Sequence, residues 1–211
     1  MNTKFLTTAA VLALSLSTGA QASLVARTGG MVYDTVNNIT WAADANLFQT
    51  QAASNASLVS EIIAANGGVI HDTPNYYDNG TYTLTTADFN TASGAMTWWG
   101  AQAWANNLTL GGVKGWSLPS TPVEAYGDNI TSSPMGDLFY NQLGGVAGTD
   151  IATTHNANYN LFTNVQSYVY WSGSEYAPNP LYAWYFYTTN GLQGYNYKDG
   201  QLYAWAVRPG E

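Results

Sequence analysis

The chain contains no cysteine. That excludes disulfides, thiol nucleophiles, zinc–thiolate sites and iron–sulfur clusters held by cysteine. Charge is scarce as well: 9% of the 211 residues are charged, and five Lys or Arg stand against 13 Asp or Glu. A surface with a net charge of −8 repels phosphate backbones, so nucleic acid is not an expected partner. Histidine occurs only twice, at His71 and His155, without the spacing of a metal-ligand pair. A single long apolar run exists, Phe5 to Leu16. It is shorter than the roughly 20 residues needed to cross a hydrocarbon core.

That run has the setting of a secretory signal peptide. Lys4 precedes it, and Ala20-Gln21-Ala22 follows as a small-x-small cleavage site. The expectation is a signal peptide over 1–22 and a mature chain from Ser23, secreted, periplasmic or at the cell surface. No membrane span remains after cleavage. Residues 23–211 are the right length for one domain with a sizeable core. With no disulfides, stability must come from packing, and 8 Trp, 16 Tyr and 6 Phe supply the material.

Periodicity and turn chemistry predict the elements. Met31 to Asp34 and Ile39 to Trp41 read as a hairpin around Asn37-Asn38. Leu58, Ile62 and Ala65 share one face of a helix over 50–66, stopped by Gly67-Gly68. Residues 72–95 are polar and read as a long loop. Thr97 caps a second helix to about Leu108, with Trp98, Ala101, Ala105 and Leu108 as its stripe. Thr121-Pro122-Val123-Glu124 has the form of a capping box and predicts a short helix. Ser133-Pro134 predicts another, turning Leu138, Phe139 and Leu143 inward. Asn190-Gly191 and Asp199-Gly200 are hairpin signals delimiting strands at about 182–188, 193–197 and 202–207. Short helices in the first two thirds and an antiparallel meander at the end make an α+β class.

A series of short motifs in a fixed order resembles the Lcl C-terminal domain family. They are Gly30 to Asp34, Thr40-Trp41, Thr97-Trp98 with Ala101, Asn107-Leu108 with Gly111-Gly112, and Trp116 with Leu118-Pro119. Leu138-Phe139-Tyr140 before Leu143-Gly144, Tyr170-Trp171-Ser172 and Val207-Arg208 complete the series, which covers 28–209. Such domains end a collagen-like bacterial adhesin and occur in many exported proteins. The resemblance implies a C-type-lectin-like fold, as in formylglycine-generating enzymes and the variable proteins of diversity-generating retroelements. It likens the stretch from Tyr170 to Pro209 to the ligand-binding end of the latter. The chain departs from the family in carrying Ser117 where an arginine is usual, and in lacking C-terminal cysteines. The cysteine-dependent formylglycine chemistry therefore does not carry over.

The meander supplies the candidate ligand-binding residues: Tyr176, Asn179, Tyr185, Tyr187, Asn190, Tyr195, Asn196 and Tyr197. Tyrosine offers a broad, stiff contact surface with a polar tip. If Trp184 and Phe186 point inward, Tyr185 and Tyr187 point outward, with Tyr195 and Tyr197 alternating likewise on the next strand. Trp171, Trp184, Phe186 and Trp205 are expected in the core. No cofactor is implied. Calcium is the one cation the carboxylates at Asp72, Asp78, Asp88, Asp128 and Asp137 raise, although neither EF-hand spacing nor a Glu-Pro-Asn triplet is present. No catalytic pair is selected by spacing, Gly115-Trp116-Ser117-Leu118-Pro119 lacking the end of a nucleophile elbow. The expectation is a non-catalytic recognition or adhesion module for glycan or protein. The alternative is a self-assembling subunit of a surface structure or filament, and a hydrolase comes last.

Overall fold

A computed structural model describes residues 23–211; the expected signal segment 1–22 lies outside the described residues. Along the chain run β1 (Leu24–Arg27), β2 (Met31–Asp34), β3 (Ile39–Ala42), α1 (Leu47–Ser54), α2 (Leu58–Ala65), β4 (Val69–His71) and β5 (Thr81–Thr83). Then come α3 (Trp98–Asn107), α4 (Pro134–Asp137), β6 (Val169–Glu175), β7 (Tyr182–Tyr187), β8 (Leu192–Tyr197) and β9 (Val207–Pro209). The class is α+β. Among the described residues three antiparallel sheets form, in the orders β1-β2-β3-β9, β4-β5 and β6-β7-β8.

The hairpin of β2 and β3 closes through Asp34. Its Oδ1 accepts from the backbone N–H of Val36 and of Asn37, both at 3.0 Å, so the turn is written into one side chain. Strand β1, which the sequence reading missed, pairs with β2 on the other side. The single helix expected over 50–66 is two. Asn55 breaks it: its Oδ1 accepts from Ser57 N–H at 2.9 Å, a local bond that competes with helix continuation. The first of the two starts earlier than expected because Phe48 is buried against Phe89 and Trp104. The polar stretch 72–95 is not a plain loop. Thr81-Tyr82-Thr83, two β-branched residues around an aromatic, form β5 against β4, and a 3₁₀ turn over Thr86–Asp88 follows.

Helix α3 is capped as expected, with the Thr97 hydroxyl accepting from Gly100 N–H at 3.2 Å. It is buried nearly all round, because it packs against both α2 and β6. Residues 121–124 do not form the expected helix. The Thr121 hydroxyl donates to Ser172 Oγ and its N–H donates to Ser174 Oγ, each at 2.8 Å, so neither group is free to start a helix. The chain runs on as an extended strap, and Gly127 bridges Gln193 outside β8. Ser133 caps α4, which passes into a π-turn over Leu138–Gln142 carrying Leu138 and Phe139 inward.

The C-terminal meander exists with a different third strand. Residues 202–207 were expected to complete it, but β6 does, pairing with β7 from upstream. Leu202 and Tyr203 instead bridge Met96 and Tyr170, and β9 crosses to pair with β3. The core sits between the sheets and α3. Trp205 lies at its centre, within 5.0–5.5 Å of Phe162, Trp41 and Tyr170 between ring centroids. Trp171, Trp184, Phe186 and Trp205 are buried as expected.

Candidate ligand-binding face

Register decides which aromatics meet. In the β7–β8 pair, Trp184 lies opposite Tyr195 and Tyr182 opposite Tyr197. Directly opposed residues point to the same side of a sheet. Tyr182, Trp184, Tyr195 and Tyr197 therefore share one face. Tyr176, just past β6, lies flat on Tyr195 with ring centroids 4.0 Å apart. Tyr182 and Tyr197 are also 4.0 Å apart, and Tyr182 meets Tyr195 edge-on at 5.7 Å. Tyr126, carried in by the strap, closes on Tyr195 at 6.0 Å. Five tyrosines thus form one continuous layer. Tyr126 is 66% exposed, Tyr197 51% and Tyr195 37%.

Beneath the layer lies Trp184, 1% exposed, touching Tyr176 and Tyr195 edge-on. Its indole N–H has no acceptor. Every other tryptophan finds one: Trp41 on Asp34, Trp98 on Ser172, Trp99 on Asp72, Trp104 on Gln51, Trp116 on Val113, Trp171 on Met96 and Trp205 on Ala42. An orphan buried donor costs about 1–3 kcal/mol, so its place under an exposed aromatic layer is informative. The phenols affect one another. The Tyr197 hydroxyl beside Tyr182 is the first cause pushing the Tyr182 phenol up to about 12, and the Tyr195 hydroxyl likewise raises Tyr176.

The structure divides the eight expected residues. Tyr176, Tyr195 and Tyr197 come together in the layer. Tyr185, Tyr187 and Asn196 belong to the opposite face, half-buried; Tyr185 lies across Gly194, where any side chain would collide with its ring. Burial raises the Tyr185 phenol. Asn179 sits in the β6–β7 turn, its Oδ1 accepting from Leu181 N–H at 3.2 Å. Asn190 sits in the β7–β8 turn, bonded to Leu192 N–H at 3.0 Å. These two build turns at opposite ends of the hairpin. Sequence reasoning missed Tyr126, Tyr182 and the role of Trp184. The spacing of Tyr182 from Trp184 was a usable signal; nothing local marks Tyr126, which arrives through the long-range Gly127–Gln193 bridge.

Other candidates are dispersed. Among the described residues no three His, Asp or Glu gather to hold a metal ion. Four of the five carboxylates that raised calcium accept from protein donors: Asp72 from Trp99 and Lys198, Asp88 from Tyr82, Thr85 and Thr97, Asp137 from Asn37, Asn141 and Gln142, and Asp78 from Asn75. His71 pairs with Thr81, and His155 with the Ile151 carbonyl. Two concavities lie away from the tyrosine layer. One is apolar, between Leu138, Phe186 and Trp205; the other is a shallow groove beside Ser117, Pro119 and Arg208.

The molecule is an α+β domain displaying a tyrosine layer over a buried, unpartnered indole. It belongs to the Lcl C-terminal domain family, whose model matches residues 30–208. No curated protein and no solved structure matches the chain.

Proposed function

We propose that this is an exported, non-catalytic recognition domain of C-type-lectin-like fold that binds a glycan or protein ligand on the Tyr126–Tyr176–Tyr182–Tyr195–Tyr197 layer. The observation that carries the reading is the Trp184 N–H, buried without a partner below that layer. A ligand oxygen reaching it would gain a bond that the free protein lacks. Tyrosine faces stack against sugar rings and bury well in protein partners. Thr73 N–H donates to Glu175 at 3.0 Å, which ties the loop bearing exposed Tyr76 and Tyr77 to the end of β6. That loop is a second source of contacts.

The self-assembling alternative has less support from the meander. Part of each outer edge is covered, β8 at Gln193 by Gly127 and β6 at Tyr170 by Tyr203, which shortens the edge open to strand addition.

The test is a glycan array, then a panel of surface proteins, probed with residues 23–211. Truncating an aromatic anchor costs about 2 kcal/mol, or roughly thirtyfold in Kd. Tyr195→Ala and Tyr197→Ala should each show that loss, whereas Tyr185→Phe on the opposite face should not. Binding unaffected by both alanine changes would refute the assignment. A concentration-dependent oligomer without any ligand would favour self-assembly.

A further inference from the structure

Lys198 is 1% exposed, and so is the Asp72 side chain it meets: Nζ stands 2.6 Å from Asp72 Oδ2. Lysine is almost never this deeply buried, and a buried ion pair gains little over its desolvation cost unless its remaining donors are bonded. Here they are not. An ammonium brings three N–H groups, and Lys198 makes one hydrogen bond, to Asp72. Glu175 Oε2 stands off at 3.6 Å, and the walls are the rings of Trp98, 4.6 Å from Nζ, and Trp99 at 5.9 Å. The cation–π contact offsets part of the deficit but provides no acceptor for the two remaining N–H groups. An amide nitrogen would carry a single N–H, and Glu175 is the acceptor at hand.

We propose that Lys198 and Asp72 form an intramolecular isopeptide bond, with Glu175 as proton shuttle. The ammonium first passes one proton to the Asp72 carboxyl, a transfer within their existing contact. The Lys198 Nζ lone pair adds to Asp72 Cγ, forming the C–N bond. Trp99 Nε1–H, which donates to Oδ2 at 2.9 Å, stabilises the negative charge that develops on that oxygen. Glu175 removes a proton from the nitrogen and returns it to the departing hydroxyl on Oδ1. The C–O bond breaks, one water leaves, and no oxidant, reductant or other co-reactant is needed. The bond would tie the segment after β4 to the segment after β8, across 126 positions. A chain without cysteine would thereby acquire a covalent clasp of its own.

Intact-mass measurement of the purified 23–211 chain, followed by tandem mass spectrometry of its digest, decides the matter. The expected result is a mass lower by one water and a branched peptide joining Asp72 to Lys198. Glu175→Gln retains an acceptor for Thr73 and should fold, judged by circular dichroism, while keeping the full mass. A wild-type chain at full mass overturns the proposal. So does a water loss mapped to the neighbouring Asp199-Gly200 pair, where a succinimide would form without any cross-link.

Discussion

Replacing Trp184 by Phe should leave stability within about 1 kcal/mol of wild type, whereas the same change at Trp205 should cost about 2–5 kcal/mol. Both tryptophans are 1% exposed, so both substitutions shrink a buried ring and leave a similar void. That void alone costs about 1–2 kcal/mol, a fraction of the 3–5 seen for full truncation of an aromatic. The difference lies in the indole N–H. Trp205 donates to the Ala42 carbonyl at 2.8 Å, and losing that donor leaves a buried acceptor short at a further cost of about 1–3 kcal/mol. Trp184 donates to nothing, so its removal relieves a desolvation penalty of the same size. Urea denaturation of both variants reads the difference directly. In a thermal melt each kcal/mol moves Tm by about 2–4 °C for a domain of this size. Equal losses for the two variants would show that the Trp184 N–H is satisfied in solution and has no bond to offer a ligand atom. The expected reversal, Trp184→Phe tolerated by the fold yet weakened in ligand binding, is how a site maintained for function at the cost of stability behaves.

Two further outcomes follow from the polar groups. Because the Tyr182 phenol is raised from 10.0 to about 12, its neutral form is favoured by the fold; its contribution is complete below pH 10 and is lost as pH rises through about 12. Phenolate absorbance should show this late-titrating group, and Tyr197→Phe should bring it down. Asp88→Ala should cost about 3 kcal/mol or more in urea denaturation, since the carboxylate is 1% exposed and accepts from Tyr82, Thr85 and the capping residue Thr97. A loss under 1 kcal/mol would mean that the cluster is open to water.

What was legible in the sequence was local. Thr97 caps α3 with a bond three residues away, and Asn190-Gly191 turns the hairpin through groups within its own loop. Both can be read without knowing what packs on them. Thr121 misled because its bonding partners, Ser172 and Ser174, lie some fifty positions on. The third strand of the meander misled for a related reason: Asp199-Gly200 does turn the chain, but it turns it out of the sheet, and the vacancy beside β7 is filled from upstream. The split of the tyrosines is a matter of register. Alternation along β7 separates Trp184 and Phe186 from Tyr185 and Tyr187, but alternation does not say which residue of β8 faces which. Trp184 opposite Tyr195 places Tyr195 and Tyr197 on the side of the tryptophan, away from Tyr185 and Tyr187.

The pairing of β9 with β3 has a temporal consequence. Thr40 is matched with Arg208, so the first sheet lacks its fourth strand until residues 207–209 have been made. Trp205, the hub of the core, is supplied by the same late stretch. A nascent chain is thus denied its native core until residues 205–209 have been made, and contacts of such long sequence separation form slowly. The polypeptide stays open through the making of β1 to β8, and commits to its shape only once β9 is free to return to β3.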